Sequence, residues 1–126
     1  MQLTLARMPS GLAAPLSYVN ATLEERGLIC NGCGSAQAKF DFIPDTIYGL
    51  DITWACWIHD WMYYAGRTVE DKDFADDTFL RNLIHSINND TTWWRKPLKP
   101  LMRRRALKYY EAVVLFGLSA FQAGKA

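Results

Sequence analysis

The chain lacks any long uninterrupted apolar run. Half of its 126 residues are hydrophobic, yet no stretch reaches the roughly 18 apolar residues that suggest a membrane-spanning helix. The N-terminal segment also lacks the apolar centre of a secretory signal, because Pro9, Ser10, Gly11 and Pro15 interrupt it. We therefore expect neither a signal peptide nor a transmembrane segment, and a chain that is made in the cytoplasm.

Cysteine and histidine are scarce, with three and two residues respectively. Cys30 and Cys33 form a CxxC pair, which suits half of a zinc site or a redox pair. A closed zinc site needs four ligands, and only Cys56 and the two histidines remain to complete it. We therefore favour neither a zinc site nor a redox pair.

Acidic residues are absent between Asp90 and Glu111. Aromatic and cationic side chains together suit an anionic lipid interface. The alternatives are a solvated basic face with both tryptophans in the core, or a surface that binds nucleic-acid phosphates. The segment holds Trp93, Trp94 and seven of the fourteen basic residues: Arg95, Lys96, Lys99, Arg103, Arg104, Arg105 and Lys108.

The helix signals begin abruptly at Asp51. Asp51 and Gly66 are a good start and stop for a first helix that is apolar on every side. Thr68 is a good N-cap for a second helix, and Pro100 suits the first turn of a third.

The predicted fold is a single all-α domain over residues 1–126. It consists of an antiparallel helix hairpin (about 52–65 and 69–87), a long C-terminal helix (about 100–123) and an irregular N-terminal segment carrying a glycine loop. Within that segment we expect only a short strand near 2–6 and a brief helix near 22–26.

One carboxylate lies on the apolar face of the second predicted helix. At 100 degrees per residue, Asp76 falls in the middle of an apolar stripe. A buried charge is costly unless it is paired, hydrogen-bonded or metal-bound, so Asp76 needs a partner. The stripe consists of Val69, Phe79, Leu80, Leu83, Ile84 and Ile87.

The hairpin supplies that partner. His59 and Asp76 are each about eight residues from the centre of the turn, so the two antiparallel helices place them at the same height. Tyr63 lies one turn from His59 on the same face, within reach of Asp76. An imidazole oriented by a carboxylate is what a general base requires, although the same cluster could be only a buried polar network.

The motif C-x-x-H-D-x-x-Y, from Cys56 to Tyr63, resembles the active-site helix of secreted phospholipase A2. Residues 31–34 (NGCG) are similar to the glycine-rich calcium loop of that family. Residues 75–79 (ADDTF) resemble the A-D-x-x-F motif that compact and viral members carry on the opposing helix.

The resemblance implies a role for each matching residue. His59 would be the general base that takes a proton from the water attacking an ester carbonyl, with Asp76 and Tyr63 holding its imidazole. Asp60 would bind calcium, a hard cation that prefers oxygen ligands. Cys33 would pair with Cys56. The remaining calcium ligands would be the carbonyls of Gly32, Gly34 and Ala36.

The chain is also similar to small phage and bacterial proteins with HDWxY, ADxxF and AVxxFG-like segments, here at 59–63, 75–79 and 112–117. That resemblance implies an alternative, a non-enzymatic phage structural or adaptor protein whose partners are other virion proteins. A protein of either kind would be carried in a virion or injected. We expect a phospholipid surface, and not nucleic acid, as the partner of the hydrolase.

Overall fold

The structure, a computed structural model, describes residues 5–30 and 44–122. Helices dominate these residues, as the predicted all-α class requires. No helix in the two described ranges combines the length and apolarity needed to cross a membrane. In chain order the elements are β1 (Leu5–Arg7), β2 (Ala13–Pro15), α1 (Leu16–Asn20), α2 (Leu23–Ile29), β3 (Thr46–Ile47), β4 (Leu50–Asp51), α3 (Thr53–Ala65), α4 (Val69–Asn88), a 3-10 helix (Trp93–Leu98), α5 (Lys99–Phe116) and α6 (Leu118–Gln122).

The α3–α4 hairpin agrees with the predicted one to within a residue at each end. Thr68 and Asp71 form a capping box, in which each side chain accepts a hydrogen bond from the other residue's backbone N–H. Gly66 ends α3, where a Cβ atom would lie only 2.8 Å from the Phe121 ring and 3.0 Å from the Met62 carbonyl. The hairpin turn is therefore fixed by one cap and one close approach.

The long C-terminal helix predicted over about 100–123 is present, but it is interrupted at Gly117. Pro100 does lie in the first turn of α5, but that helix ends at Phe116, and α6 begins after Gly117. A Cβ atom at Gly117 would overlap the Tyr63 hydroxyl and the Val113 carbonyl. The break thus lies where the chain passes directly against α3.

The N-terminal part is more regular than predicted. β1 pairs antiparallel with β2, in a hairpin that the predicted strand at 2–6 only partly anticipated. The predicted helix at 22–26 is α2, whose N-terminus is closed by a capping box between Thr22 and Glu25. The short β3–β4 hairpin was not predicted.

The core lies around α3, as its all-round apolar sequence predicts. The buried stripe of α4 includes Phe79, Leu83 and Ile87, but Val69 is 62% exposed because it is the first residue of α4, beyond the end of α3. The third layer is the inner face of α5, with buried residues at i, i+4, i+7 and i+11: Met102, Ala106, Tyr109 and Val113.

Candidate functional site

The hairpin brings His59, Tyr63 and Asp76 into one buried cluster. Nε2 of His59 donates to Oδ1 of Asp76 at 2.8 Å, and the Tyr63 hydroxyl donates to the same oxygen at 2.6 Å. The juxtaposition predicted from the hairpin register is therefore present. The catalytic role of these residues stays a prediction.

A fourth member, Lys72, was missed by the sequence reasoning. Its Nζ donates to Oδ2 of Asp76 at 2.7 Å and to the backbone carbonyl of Val113 at 3.2 Å. Lys72 is 5% exposed. The signal that could have found it is its position four residues before Asp76, where a helix places two side chains on one face. Lys72 thus neutralises the acid and links it to the last turns of α5.

The hydrogen bonds assign the protonation states. Burial raises the pKa of Asp76, but the bonds from His59, Lys72 and Tyr63 outweigh it and hold that pKa below its ordinary value. A carboxylate only accepts hydrogen bonds, so Nε2 of His59 carries the proton. Burial lowers the pKa of His59, against the opposing effect of Asp76. The imidazole is therefore neutral at pH 7, with its lone pair on Nδ1.

Aromatic rings fix the plane of the imidazole. The His59 ring lies 4.2 Å from the Tyr63 ring and 4.7 Å from the Phe79 ring, centroid to centroid. Burial, and then the charge of Asp76, raise the pKa of Tyr63. Its hydroxyl consequently stays protonated and remains a donor to Asp76.

Asp60, the predicted calcium ligand, is half-buried on α3, next to His59 in the chain. Calcium binds six to eight oxygens, and within residues 5–30 and 44–122 no group of three or more His, Cys, Asp or Glu side chains could hold a metal ion. Asp60 can contribute one carboxylate. The carbonyls proposed to complete the site, at Gly32, Gly34 and Ala36, lie outside the described residues.

The cysteines separate into two kinds. Cys56 is buried on α3 and disulfide-bonded. Cys30 is a free thiol; it donates to the Trp57 carbonyl at 3.1 Å, and burial raises its pKa to about 12. Cys33, the predicted partner of Cys56, lies outside the described residues. A thiol with so high a pKa is a poor metal ligand or nucleophile.

The predicted anion surface lies at the other end of the α4–α5 pair. Arg103 donates to the Asn88 side chain, and Asn88 is about 18 Å along α4 from Asp76 at 1.5 Å per residue. Arg95 pairs with Asp90 and lies over the Trp94 ring. Trp93 is 83% exposed and Trp94 is exposed too, so the alternative that places both tryptophans in the core is wrong. The other exposed basic residues there are Lys96, Arg104, Arg105 and Lys108, with Lys99 half-buried.

Among the residues that the structure describes, two cavities open beside α3. The larger, about 340 Å³, lies between α3 and the C-terminal end of α4. The smaller, about 260 Å³, is lined mainly by apolar side chains that include Trp54 and Ile58. Neither is lined by His59, Tyr63 or Asp76. The cluster is therefore a buried polar centre beside, and not within, these openings.

No family model, curated protein or solved structure matches this chain. Its function is therefore inferred from the His59–Asp76 geometry.

Proposed function

We propose that this chain is a calcium-dependent, phospholipase A2-like hydrolase that cleaves glycerophospholipid esters at a membrane surface. The hydrogen bond from His59 Nε2 to Asp76 Oδ1, at 2.8 Å, is the observation that supports this most. It leaves the lone pair on Nδ1, the atom that must accept a proton if His59 is a base. Tyr63, which donates to the same carboxylate oxygen, restricts how that carboxylate can turn.

In the proposed reaction, Nδ1 of His59 takes a proton from water while the water oxygen bonds to the ester carbonyl carbon. The ester C–O bond then breaks, and the proton passes from His59 to the departing lysophospholipid oxygen. The products are a fatty acid and a lysophospholipid. Asp76 stabilises the imidazolium that forms between the two proton transfers. Calcium bound at Asp60 would polarise the ester carbonyl and stabilise its developing negative charge.

The second candidate is a non-enzymatic phage structural or adaptor protein, in which the cluster is a buried polar network. Two observations favour it. His59 is only 2% exposed. In addition, every buried side-chain nitrogen and oxygen in the described parts of the chain has a hydrogen-bond partner, as a purely structural network requires.

Fatty-acid release separates the two candidates. Wild-type protein is incubated with mixed phospholipid vesicles and calcium, alongside His59→Gln and a matched control, His85→Gln, which alters the other histidine. The hydrolase predicts release by wild type and His85→Gln, and loss in His59→Gln. Equal release, or none from wild type, would overturn the enzymatic proposal.

Calcium binding is tested without activity. A ligand that binds only the folded state raises the melting temperature. We expect calcium to raise it for wild type and for Asp73→Asn, a charge-matched change at an exposed position of α4, but not for Asp60→Asn. A melting temperature that calcium leaves unchanged in all three proteins would contradict the proposed metal role of Asp60 and favour the structural candidate.

A further inference from the structure

The outer face of α5 is exposed and combines apolar with basic side chains. The opposite face carries the buried residues of the core, so the outer face has no partner within the described parts of the chain. The side chains along it are all exposed: Leu101, Arg104, Leu107, Lys108, Glu111, Val114 and Leu115.

Most of the exposed large hydrophobic side chains in the described ranges lie in or next to α5. Eight of the fourteen exposed large hydrophobic side chains lie between Trp93 and Leu118, and Leu115 alone is 69% exposed. Scattered apolar residues are ordinary on a protein surface, whereas a contiguous group indicates a site of interaction. With 18 residues, α5 is about 27 Å long, enough for an extended contact.

The charges on this face have one predominant sign. Neither Arg104 nor Lys108 has an ion-pair partner among residues 5–30 and 44–122. Glu111 is the one acidic residue in α5. Arg105 lies at the edge of the same surface, with its guanidinium over the Tyr48 ring. The face therefore carries two basic side chains, Arg104 and Lys108, against the single acid Glu111, and Arg105 adds a further positive charge at its edge.

We propose that α5 lies flat on an anionic phospholipid bilayer, with its exposed leucines and valine in the headgroup boundary and its basic side chains on the lipid phosphates. Basic amphipathic helices bind anionic membranes in this way. Nucleic acid would be held through phosphate contacts alone, which leaves the exposed apolar side chains without a role. The exposed indole of Trp93, directly before α5, extends the same surface.

The inference rests on the proposed function for its link to lipid, and it adds which face meets the bilayer. The inner side of α5 packs on α4, where the Tyr110 hydroxyl donates to Asp77 at 2.9 Å. Packed helix axes lie about 8–10 Å apart. A bilayer on the outer face would therefore lie about one helix diameter from the His59–Asp76 cluster.

Binding is measured by co-sedimentation of the full chain with vesicles of phosphatidylglycerol and phosphatidylcholine in equal parts, and with phosphatidylcholine alone. No calcium is added, and His59→Gln is tested in parallel, so that the result does not depend on catalysis. We expect binding to the anionic vesicles by wild type and His59→Gln, weakened by salt, and little binding to phosphatidylcholine.

Two variants test the face itself. Arg104→Glu/Lys108→Glu should lower partition by about 30-fold or more, since each basic side chain near an anionic surface contributes about fivefold. Leu107→Ser/Leu115→Ser should lower it at both low and high salt, since it removes apolar area and no charge. The matched control is Arg67→Glu/Arg81→Glu, which changes the net charge equally at exposed positions outside α5 and should bind much more tightly than Arg104→Glu/Lys108→Glu.

Equal losses in the two charge-reversal variants would overturn the inference, because net charge and not this face would then drive binding. Retention on DNA without vesicle binding, or a concentration-dependent dimer without vesicle binding, would overturn it as well. Vesicle binding without any lipolysis would leave the inference intact and count against the proposed hydrolase. Hydrolysis of a soluble short-chain ester without vesicle binding would instead support the proposed hydrolase and overturn the inference about α5.

Discussion

Replacing Lys72 with methionine should lower the free energy of unfolding by about 3 kcal/mol. Lys72 and Asp76 form an ion pair at 2.7 Å, with both side chains almost fully buried. Removing one partner of a buried pair costs about 3–5 kcal/mol, because the other charge is left without compensation. Asp76 keeps its bonds from His59 and Tyr63, which places the expected cost at the low end. For a domain of this size the melting temperature should fall by about 10 °C.

A double-mutant cycle isolates the pair. Asp76→Asn alone leaves the Lys72 ammonium buried, so we expect it to cost about 3 kcal/mol too. Lys72→Met/Asp76→Asn removes both charges and should cost much less than the sum of the two, with a coupling of at least about 2 kcal/mol. Urea unfolding measures all four proteins, provided that their m-values agree.

Lys108→Met is the control for loss of a positive charge at an exposed position of α5. It should change the free energy of unfolding by less than about 0.5 kcal/mol. The reasoning is refuted if the Lys72 and Asp76 changes are additive within about 0.5 kcal/mol. A Lys72→Met variant as stable as Lys108→Met would refute it equally.

Three further predictions concern stability. Burial lowers the pKa of His59 against the effect of Asp76, so the folded state binds fewer protons than the unfolded state; the free energy of unfolding should fall as the pH drops below about 6.5. Urea titrations at several pH values should show that this dependence of the free energy of unfolding on pH is weakened in His59→Gln and retained in His85→Gln. Asn82→Ala should cost about 2 kcal/mol in urea unfolding, because it leaves the buried Ala13 N–H and C=O without their bonds of 2.8 and 2.9 Å; Asn88→Ala, at an exposed site, should cost far less. Cys56→Ser should lower the melting temperature, since it removes a disulfide. A reductant that lowers the melting temperature of the wild type but not of this variant would confirm the cause.

The hairpin and its polar cluster were predictable because both depend on local sequence. Thr68 and Gly66 mark the ends of the two helices with cap and stop signals, and a short turn fixes their register. Once the register is known, His59 and Asp76 must lie level with each other. The partner of Asp76 then follows from the cost of burying a charge.

The features that were missed depend on contacts between distant residues. Lys72 lies in an acidic first half of α4; its spacing from Asp76 places both on one face, but its burial against the Val113 carbonyl depends on the packing of α5. Asn82 joins β2 to α4, a contact between residues far apart in the chain. The break between α5 and α6 falls in an apolar stretch that reads as continuous helix, since a single glycine is tolerated there.

The bend at Gly117 lies directly against α3, so its geometry depends on the position of the Tyr63 side chain. The Tyr63 hydroxyl that donates to Asp76 lies where any side chain at position 117 would begin. Even one added methyl group must displace either α6 or that hydroxyl. Because glycine has no side chain, position 117 leaves room for the Tyr63 hydroxyl to donate to Asp76. Alanine at this position should therefore disturb the cluster that includes His59.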